Sequence, residues 1–188
     1  MKKTILSLAT LLLSMSMMAQ TQVKTAEGIL EGKDLSGITI FKGVPFAAPP
    51  VGNLRWKAPQ PVQKWEGVRK ATEYGPNPMQ EALFGDMNFG TKVNSEDCLY
   101  LNIWTPAKTM KEHLPVLIYF NGGGLMAEVA ANLDMLAMRW LERASSPSPP
   151  IIVRASSVSL PIRNSPRKHL TKALATMVSW IKWLPSNG

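Results

Sequence analysis

Three consecutive glycines, Gly122, Gly123 and Gly124, follow an apolar run and a single asparagine, Asn121. Glycine has no side chain, so a substrate oxygen can approach its backbone closely, and two convergent amides can bind the oxyanion of an acyl transfer. Taken alone, the tripeptide is better explained as a glycine-rich turn after a strand. The sequence around it decides between the two interpretations.

Few other residues offer catalytic or metal-binding chemistry. The single cysteine, Cys98, excludes an internal disulfide framework and any cysteine-rich zinc site. The two histidines, His113 and His169, are both expected at the surface. Residues 125–188 contain no acid–base pair, metal-ligand cluster or phosphate loop. We therefore expect neither a metal nor a cofactor.

The residues that would position the glycines are short strand-like runs. The run 116–120 is apolar throughout, which predicts a strand buried on both faces of a mostly parallel sheet. The carboxyl edge of such a sheet is where open α/β folds build their sites. Residues 98–104 alternate more clearly and predict a strand nearer the edge of the sheet. Further strand-like runs lie at 28–31 and 38–44, and five prolines predict extended loops between 45 and 61.

The chain has 188 residues, which allows about one domain. Lys2 and Lys3 precede a short apolar run at 5–18, followed by a small residue, Ala19, and this pattern predicts a signal peptide at 1–20. A membrane anchor is the alternative, although the run is short for a transmembrane span. The mature chain is therefore expected to be secreted or periplasmic, without stable membrane association.

Residues 125–188 differ in composition from the front section, 21–124. Twelve of the 13 glycines lie at or before Gly124, and every Phe and Tyr precedes residue 125. Of the net charge of +8, this tail carries +5 and the predicted signal peptide +2, which leaves the front section nearly neutral. The net positive charge is therefore no evidence that the chain binds nucleic acid, and we expect no nucleic-acid partner. A helix-like spacing at 170–184 leaves a membrane-active basic tail on a folded stub as one alternative function.

Three blocks of the front section resemble the type-B carboxylesterases, the α/β-hydrolase family that includes the cholinesterases. They read FKGVPFAAPPVGNLRW at 41–56, SEDCLYLNIWTP at 95–106 and LPVLIYFNGGG at 114–124. The resemblance covers nearly all of residues 23–124. It implies the first strands of the mixed sheet of an α/β-hydrolase, with a tail of uncertain structure.

The resemblance also implies roles for particular residues. Gly123 and Gly124 would supply oxyanion-hole amides, with Asn121 and Gly122 as part of the same motif. The reaction would be hydrolysis of a small carboxylic ester through a serine acyl-enzyme. Arg55 and Glu96 would form a structural ion pair near the site, and two separately solvated charges are the alternative.

The sequence departs from the family pattern at two positions. Asn121 stands where many relatives have histidine or tyrosine, and we interpret it as tolerated variation. Cys98 matches a family cysteine that pairs with one upstream, where this chain has Pro78. The bridge is therefore absent, and Cys98 is expected to be a buried apolar thiol.

The catalytic serine of such an esterase lies on a G-x-S-x-G turn, and this chain contains none. The tail can be back-translated and read in a shifted frame, in which each codon takes the last base of one residue's codon and the first two bases of the next. With permitted third bases, this frame can encode DEMARKGIVTVTANYR across 138–153 and YGLMDQMAALKW across 176–188. Both strings resemble the family downstream of the glycine triplet. We therefore predict that 125–188 is out-of-frame translation and that the chain is a truncated, inactive carboxylesterase. A non-catalytic secreted binding protein of the same fold is a further alternative.

Overall fold

Eight strands form two β-sheets in the computed structural model, which describes residues 21–80, 93–109, 112–120, 137–139, 141 and 150–155. The predicted signal peptide and the helix-like stretch at 170–184 lie outside these residues. The strands are β1 (Gln22–Lys24), β2 (Ile29–Glu31), β3 (Lys33–Leu35), β4 (Ile38–Pro45), β5 (Val68–Lys70), β6 (Tyr100–Thr105), β7 (Val116–Phe120) and β8 (Ile151–Ala155). A 3₁₀ turn spans Gly52–Leu54.

The smaller sheet has the order β1-β2-β5, with β1 antiparallel and β5 parallel to β2. Trp65 fixes the start of β2, because its Nε1 donates a hydrogen bond to the carbonyl oxygen of Ile29 at 3.0 Å. The indole lies so close to Gly28 that a Cβ there would approach Trp65 Nε1 to 2.4 Å. Only glycine therefore fits at position 28.

The larger sheet has the order β3-β4-β6-β8-β7 and is mixed. Neighbouring strands from β3 to β8 in this order run antiparallel, whereas the last pair, β8 and β7, is parallel. Strand β8 comes from the tail, directly after the Ser/Pro-rich segment 145–150. The predicted strands at 28–31, 38–44, 98–104 and 116–120 are confirmed, and the tail adds a strand that the sequence pattern did not indicate.

The predicted positions of two strands in the sheet are wrong. Strand β6 was expected near an edge, yet it lies between β4 and β8, and every residue from Leu101 to its end is buried. Its alternation comes from polar side chains that are satisfied inside the protein: Asn102 accepts a hydrogen bond from Gly43, and Thr105 accepts one from Ala107. Buried polar groups with partners are compatible with a central strand.

Strand β7 was expected to be buried on both faces, yet it is the last strand in this order and its side chains alternate. Leu117 and Tyr119 are 42% and 45% exposed, while Val116 and Ile118 pack against the core from the other face. An apolar run indicates a strand but does not show how many faces other elements cover. The described residues cover one face of β7.

Two apolar clusters lie on opposite faces of the larger sheet, and β6 and β8 contribute to both. Leu101 and Ile103 of β6 belong to the larger cluster, whereas Trp104 belongs to the smaller one with Ala137 and Leu141. This division follows from the two-residue period of a strand. Complete burial of such large apolar side chains contributes about 1.5–3 kcal/mol each, so these two faces supply much of the stability of the sheet.

A β-bulge in β4 joins the two sheets. The register of β4 against β6 shifts between Phe41 and Val44, and the backbone at Gly43 has a φ of +62°. The Gly43 N–H donates to Asn102 Oδ1 at 3.0 Å, and the preceding amide of Lys42 donates to the carbonyl of Ala71 at 2.8 Å. A bulge of this kind bends the strand and fixes its register.

We expect Gly43→Ala to destabilise the fold more than Gly52→Ala does. A Cβ at Gly43 would lie 2.6 Å from the carbonyl oxygen of Glu73, whereas Gly52 has a similar φ of +54° and open space around it. Gly52→Ala therefore measures the conformational cost alone, about 1–2 kcal/mol, and Gly43→Ala should add about 1–3 kcal/mol for the displaced backbone. Urea unfolding followed by tryptophan fluorescence measures both, and equal losses would contradict the role assigned to the bulge.

Candidate active site

The parallel strands β7 and β8 end at the same level, and this edge is the candidate active site. Phe120 and Ala155, the last residues of the two strands, are register partners. The carboxyl ends of neighbouring parallel strands meet at one edge of a sheet, where chain segments leaving both strands can form a site. Asn121, Gly122, Gly123 and Gly124 continue directly from β7, but they lie outside the described residues.

Arg55 and Glu96 lie together and form a two-pronged ion pair. Arg55 Nε donates to Glu96 Oε1 at 2.5 Å, and Arg55 Nη2 donates to Glu96 Oε2 at 2.6 Å. The side chains are 46% and 42% exposed. This bidentate geometry matches the planar guanidinium to the planar carboxylate, so it fixes orientation as well as distance.

The ion pair shifts the pKa values of both side chains, and solvent weakens the attraction between them. The hydrogen bond from Arg55 holds the pKa of the Glu96 carboxyl below its usual range, and the same bond raises the pKa of Arg55. Because both side chains are partly exposed, solvent screens their attraction. The pair therefore matters more for holding two loops together than for global stability.

Each partner of the ion pair is held by its own loop. Arg55 closes the 3₁₀ turn, since its backbone N–H donates to the carbonyl of Gly52 at 3.1 Å. Glu96 follows Ser95, whose Oγ accepts a hydrogen bond from the Asp97 amide at 3.1 Å. The pair thus connects the loop after residue 51 to the segment that enters β6.

Backbone hydrogen bonds close the loop that begins near Pro78, where the family resemblance implies a disulfide. The Asn77 amide donates to the carbonyl of Val93 at 2.9 Å, and the Ser95 amide donates back to the carbonyl of Asn77 at 2.8 Å. Cys98 forms no disulfide and is 1% exposed, so it packs as a buried apolar residue. The described ends of this loop therefore meet without a covalent bridge.

Tyr100 and Asp97 form a contact that the sequence did not indicate. The Tyr100 hydroxyl donates to Asp97 Oδ2 at 3.0 Å, and burial raises the pKa of this phenol, with the Asp97 charge adding to the effect. The ring lies against Gly75, where a Cβ would approach it to 2.6 Å. A phenol with a raised pKa and an internal acceptor is a structural anchor for the start of β6.

The described residues contain no group of three or more His, Cys, Asp or Glu side chains that could hold a metal ion. His113, which is exposed, is described, whereas His169 lies outside the described residues. In the same part of the chain, no helix is long and apolar enough to cross a membrane.

Comparison with known proteins identifies the family. The family model for carboxylesterases matches residues 19–139 of this chain. The chain belongs to the carboxylesterase family. The match extends past Gly124 and so includes the first residues of the tail.

Related carboxylesterases are similar to this chain over its front part. Liver carboxylesterase 1 of Oryctolagus cuniculus is 42% identical in an alignment that covers 62% of this chain and 23% of the relative. The medium-chain fatty acyl-CoA hydrolase precursor of Anas platyrhynchos is 39% identical in an alignment that covers 63% of this chain and 24% of the relative. This carboxylesterase chain therefore spans about a quarter of the length of the curated relatives it matches.

Solved structures show the fold. A carboxylesterase of Geobacillus stearothermophilus matches with a TM-score of 0.58 and 32% identity over 72% of this chain and 26% of its own. A pNB esterase matches with a TM-score of 0.67 and 29% identity over 87% of this chain and 35% of its own. The described strands are therefore part of the mixed sheet of an α/β-hydrolase.

We expect Arg55→Met to raise the pKa of Glu96 towards the ordinary value of about 4.3. Glu112 is a matched control, because backbone amides of Lys108 and Thr109 lower its pKa without Arg55. An NMR titration of the glutamate carboxyls should show Glu96 moving and Glu112 unchanged.

The same shift determines how the pair responds to pH. The pKa of Glu96 is lowered on folding, so its contribution to stability is present above the unfolded-state pKa and is lost as the pH falls through the folded-state value. A Glu96 pKa that does not change in the Arg55→Met variant would show that the pair does not form in solution.

Proposed function

We propose that this chain is the front part of a secreted or periplasmic carboxylic ester hydrolase. The observation that carries the proposal is the position of β7 in a carboxylesterase chain: the strand ends at Phe120, directly before Asn121 and the three glycines. Its parallel partner β8 ends at the same edge. Relatives that are named carboxylesterases support a small-molecule ester as the substrate class.

The proposed chemistry uses the backbone amides of Gly123 and Gly124. In an intact relative, a serine would attack the ester carbonyl, and the amides would bind the tetrahedral oxyanion before the alcohol leaves. Water would then release the acid from the acyl-enzyme. Removal of one such donor costs about 2.7–4 kcal/mol of transition-state stabilisation, so the triplet is worth a large share of the rate.

The 188 residues of this chain do not complete the site. It contains no G-x-S-x-G, and no serine of the tail has a glycine on both sides, as the strained turn requires. The two histidines do not match the catalytic histidine of the family. We therefore propose that the chain as given is an inactive member of an active family.

A shift of the reading frame just after Gly124 accounts for the tail. The shifted codons across residues 144–153 can read IVTVTANYR, and they overlap the codons of β8, Ile151–Ala155. As translated, the β-branched run in Ile151–Ala155 forms a five-residue strand. The shifted codons would encode a longer run of residues that favour a strand. The basic charge and the helical spacing of the tail then have no selected meaning.

The nucleotide sequence across codons 121–188 tests the frame proposal. The shifted codons begin one base earlier than the given ones, so we expect that one added nucleotide just after codon 124 restores a reading that continues to a G-x-S-x-G. Since the family match extends to residue 139, the DNA sequencing should also cover the codons around residue 139. A shifted frame that meets a stop codon before such a turn would exclude the proposal.

We expect purified residues 21–188 to show no measurable hydrolysis of a simple aryl ester, because no nucleophile is present to form an acyl-enzyme. A complete carboxylesterase under the same conditions is the positive control. Turnover that survives replacement of Gly123 and Gly124, but is lost with a tail serine, would contradict this account of the site.

A further inference from the structure

The smaller sheet begins directly after the predicted signal peptide. Signal peptides are cleaved after a small residue, and Ala19 is the small residue that ends the apolar run, whereas Gln20 is large and polar. Cleavage after Ala19, one residue before the boundary of the 1–20 segment, makes Gln20 the first residue of the exported chain. Both residues lie outside the described part of the chain, which starts at Thr21.

A glutamine at the start of a chain holds a nucleophile and an electrophile in one residue. The α-amino group has an ordinary pKa of about 7.7–8.0, so a fraction of it is neutral and nucleophilic near neutral pH. The side-chain carboxamide carbon, Cδ, is tethered to this amine, and tethering of this kind strongly favours an intramolecular reaction over an intermolecular one. An N-terminal glutamine therefore closes into a lactam without a catalyst.

We propose that the exported chain begins at Gln20 and that this residue becomes a pyroglutamyl cap on the smaller sheet. The bond from the α-nitrogen to Cδ forms, the bond from Cδ to Nε2 breaks, and Nε2 leaves as ammonia with the proton that the amine loses. No oxidant, reductant or other co-reactant is consumed. The inference rests on the export of the chain in the function proposed above, and on none of its catalytic residues.

Strand β1 lies so close to this terminus that its pairing depends on the first few residues of the exported chain. The Gly32 amide donates to the carbonyl oxygen of Thr21 at 2.7 Å, one residue after the cap. Strand β1 is only three residues long, forms an edge of the smaller sheet and pairs with β2 alone. Its central residue, Val23, is the register partner of Leu30, which is 1% exposed.

Removal of residues from the N-terminus would therefore damage the core as well as the edge of the sheet. Val23 packs against the larger apolar cluster, to which Leu30 belongs. An aminopeptidase that removed the chain as far as Val23 would take away this contact and one of the two strands that flank β2. Aminopeptidases bind a free α-amino group, and the lactam has none, so the cap protects β1 from this attack.

Mass spectrometry of the exported chain tests the cap. The full chain, 1–188, is produced in a secreting bacterial host, and its N-terminal tryptic peptide is sequenced. We expect a peptide that runs from Gln20 to Lys24 and is lighter by one ammonia than its sequence requires. Gln20→Ala is the matched control, and it should give the same cleavage with a free α-amino group.

The outcomes separate the cap from the export on which it depends. A peptide that starts at Gln20 and keeps its ammonia after prolonged incubation at neutral pH would overturn the cap and leave export intact. A chain that starts at Thr21 would do the same, since no glutamine is then terminal. A chain that retains residues 1–19 would contradict both the cap and the export.

An aminopeptidase of broad specificity tests the protective role. We expect the capped chain to keep β1 and its midpoint of urea unfolding, whereas Gln20→Ala loses residues from its N-terminus and unfolds at a lower urea concentration. Both chains are compared before digestion as well, where their midpoints should agree. Equal shortening of the two chains, or no shortening of Gln20→Ala, would show that the cap protects nothing.

Discussion

The two-sided pairing of β6 is the constraint on which the rest of the larger sheet depends. Its backbone pairs with β4 on one side and β8 on the other, and its side chains alternate between the two apolar clusters. Trp104, fully buried, anchors the smaller cluster, and Asn102 holds the bulge of β4 through Gly43. Through β8, β6 sets the level in the sheet at which β7 ends, at Phe120.

Local patterns predicted the strands well and their order poorly. The runs at 38–44, 98–104 and 116–120 all form strands, because β-branched and aromatic residues bounded by turns suit only a few local structures. Strand order, by contrast, depends on contacts far apart in sequence. Asn102 and Thr105 give β6 the polar alternation of an edge strand. In the structure both side chains are buried and accept hydrogen bonds, from the backbone amides of Gly43 and Ala107. The apolar run of β7 has the composition of a central strand, but Leu117 and Tyr119 are exposed on one of its faces.

The ion pair of the candidate site was predictable from the family motifs, whereas the hydrogen bonds around it were not. The resemblance to carboxylesterases implied Arg55 and Glu96 as partners, and the structure places them in a bidentate pair. The spacing of residues in the sequence could not predict the backbone hydrogen bonds of Asn77 that close the adjoining loop, or the hydrogen bond from Tyr100 to Asp97. These groups come together only when the chain folds. The front section is therefore a scaffold that holds two loops and one strand end in fixed positions.

The proposal of a reading-frame shift states that a carboxylesterase scaffold leads into a tail translated in the wrong frame. The most direct measurement is aryl-ester hydrolysis by the protein translated after one nucleotide is added just beyond codon 124. We expect this protein to hydrolyse the ester and to lose that activity when the serine of its G-x-S-x-G is replaced by alanine. A restored protein that folds cooperatively and remains inert towards esters would contradict it.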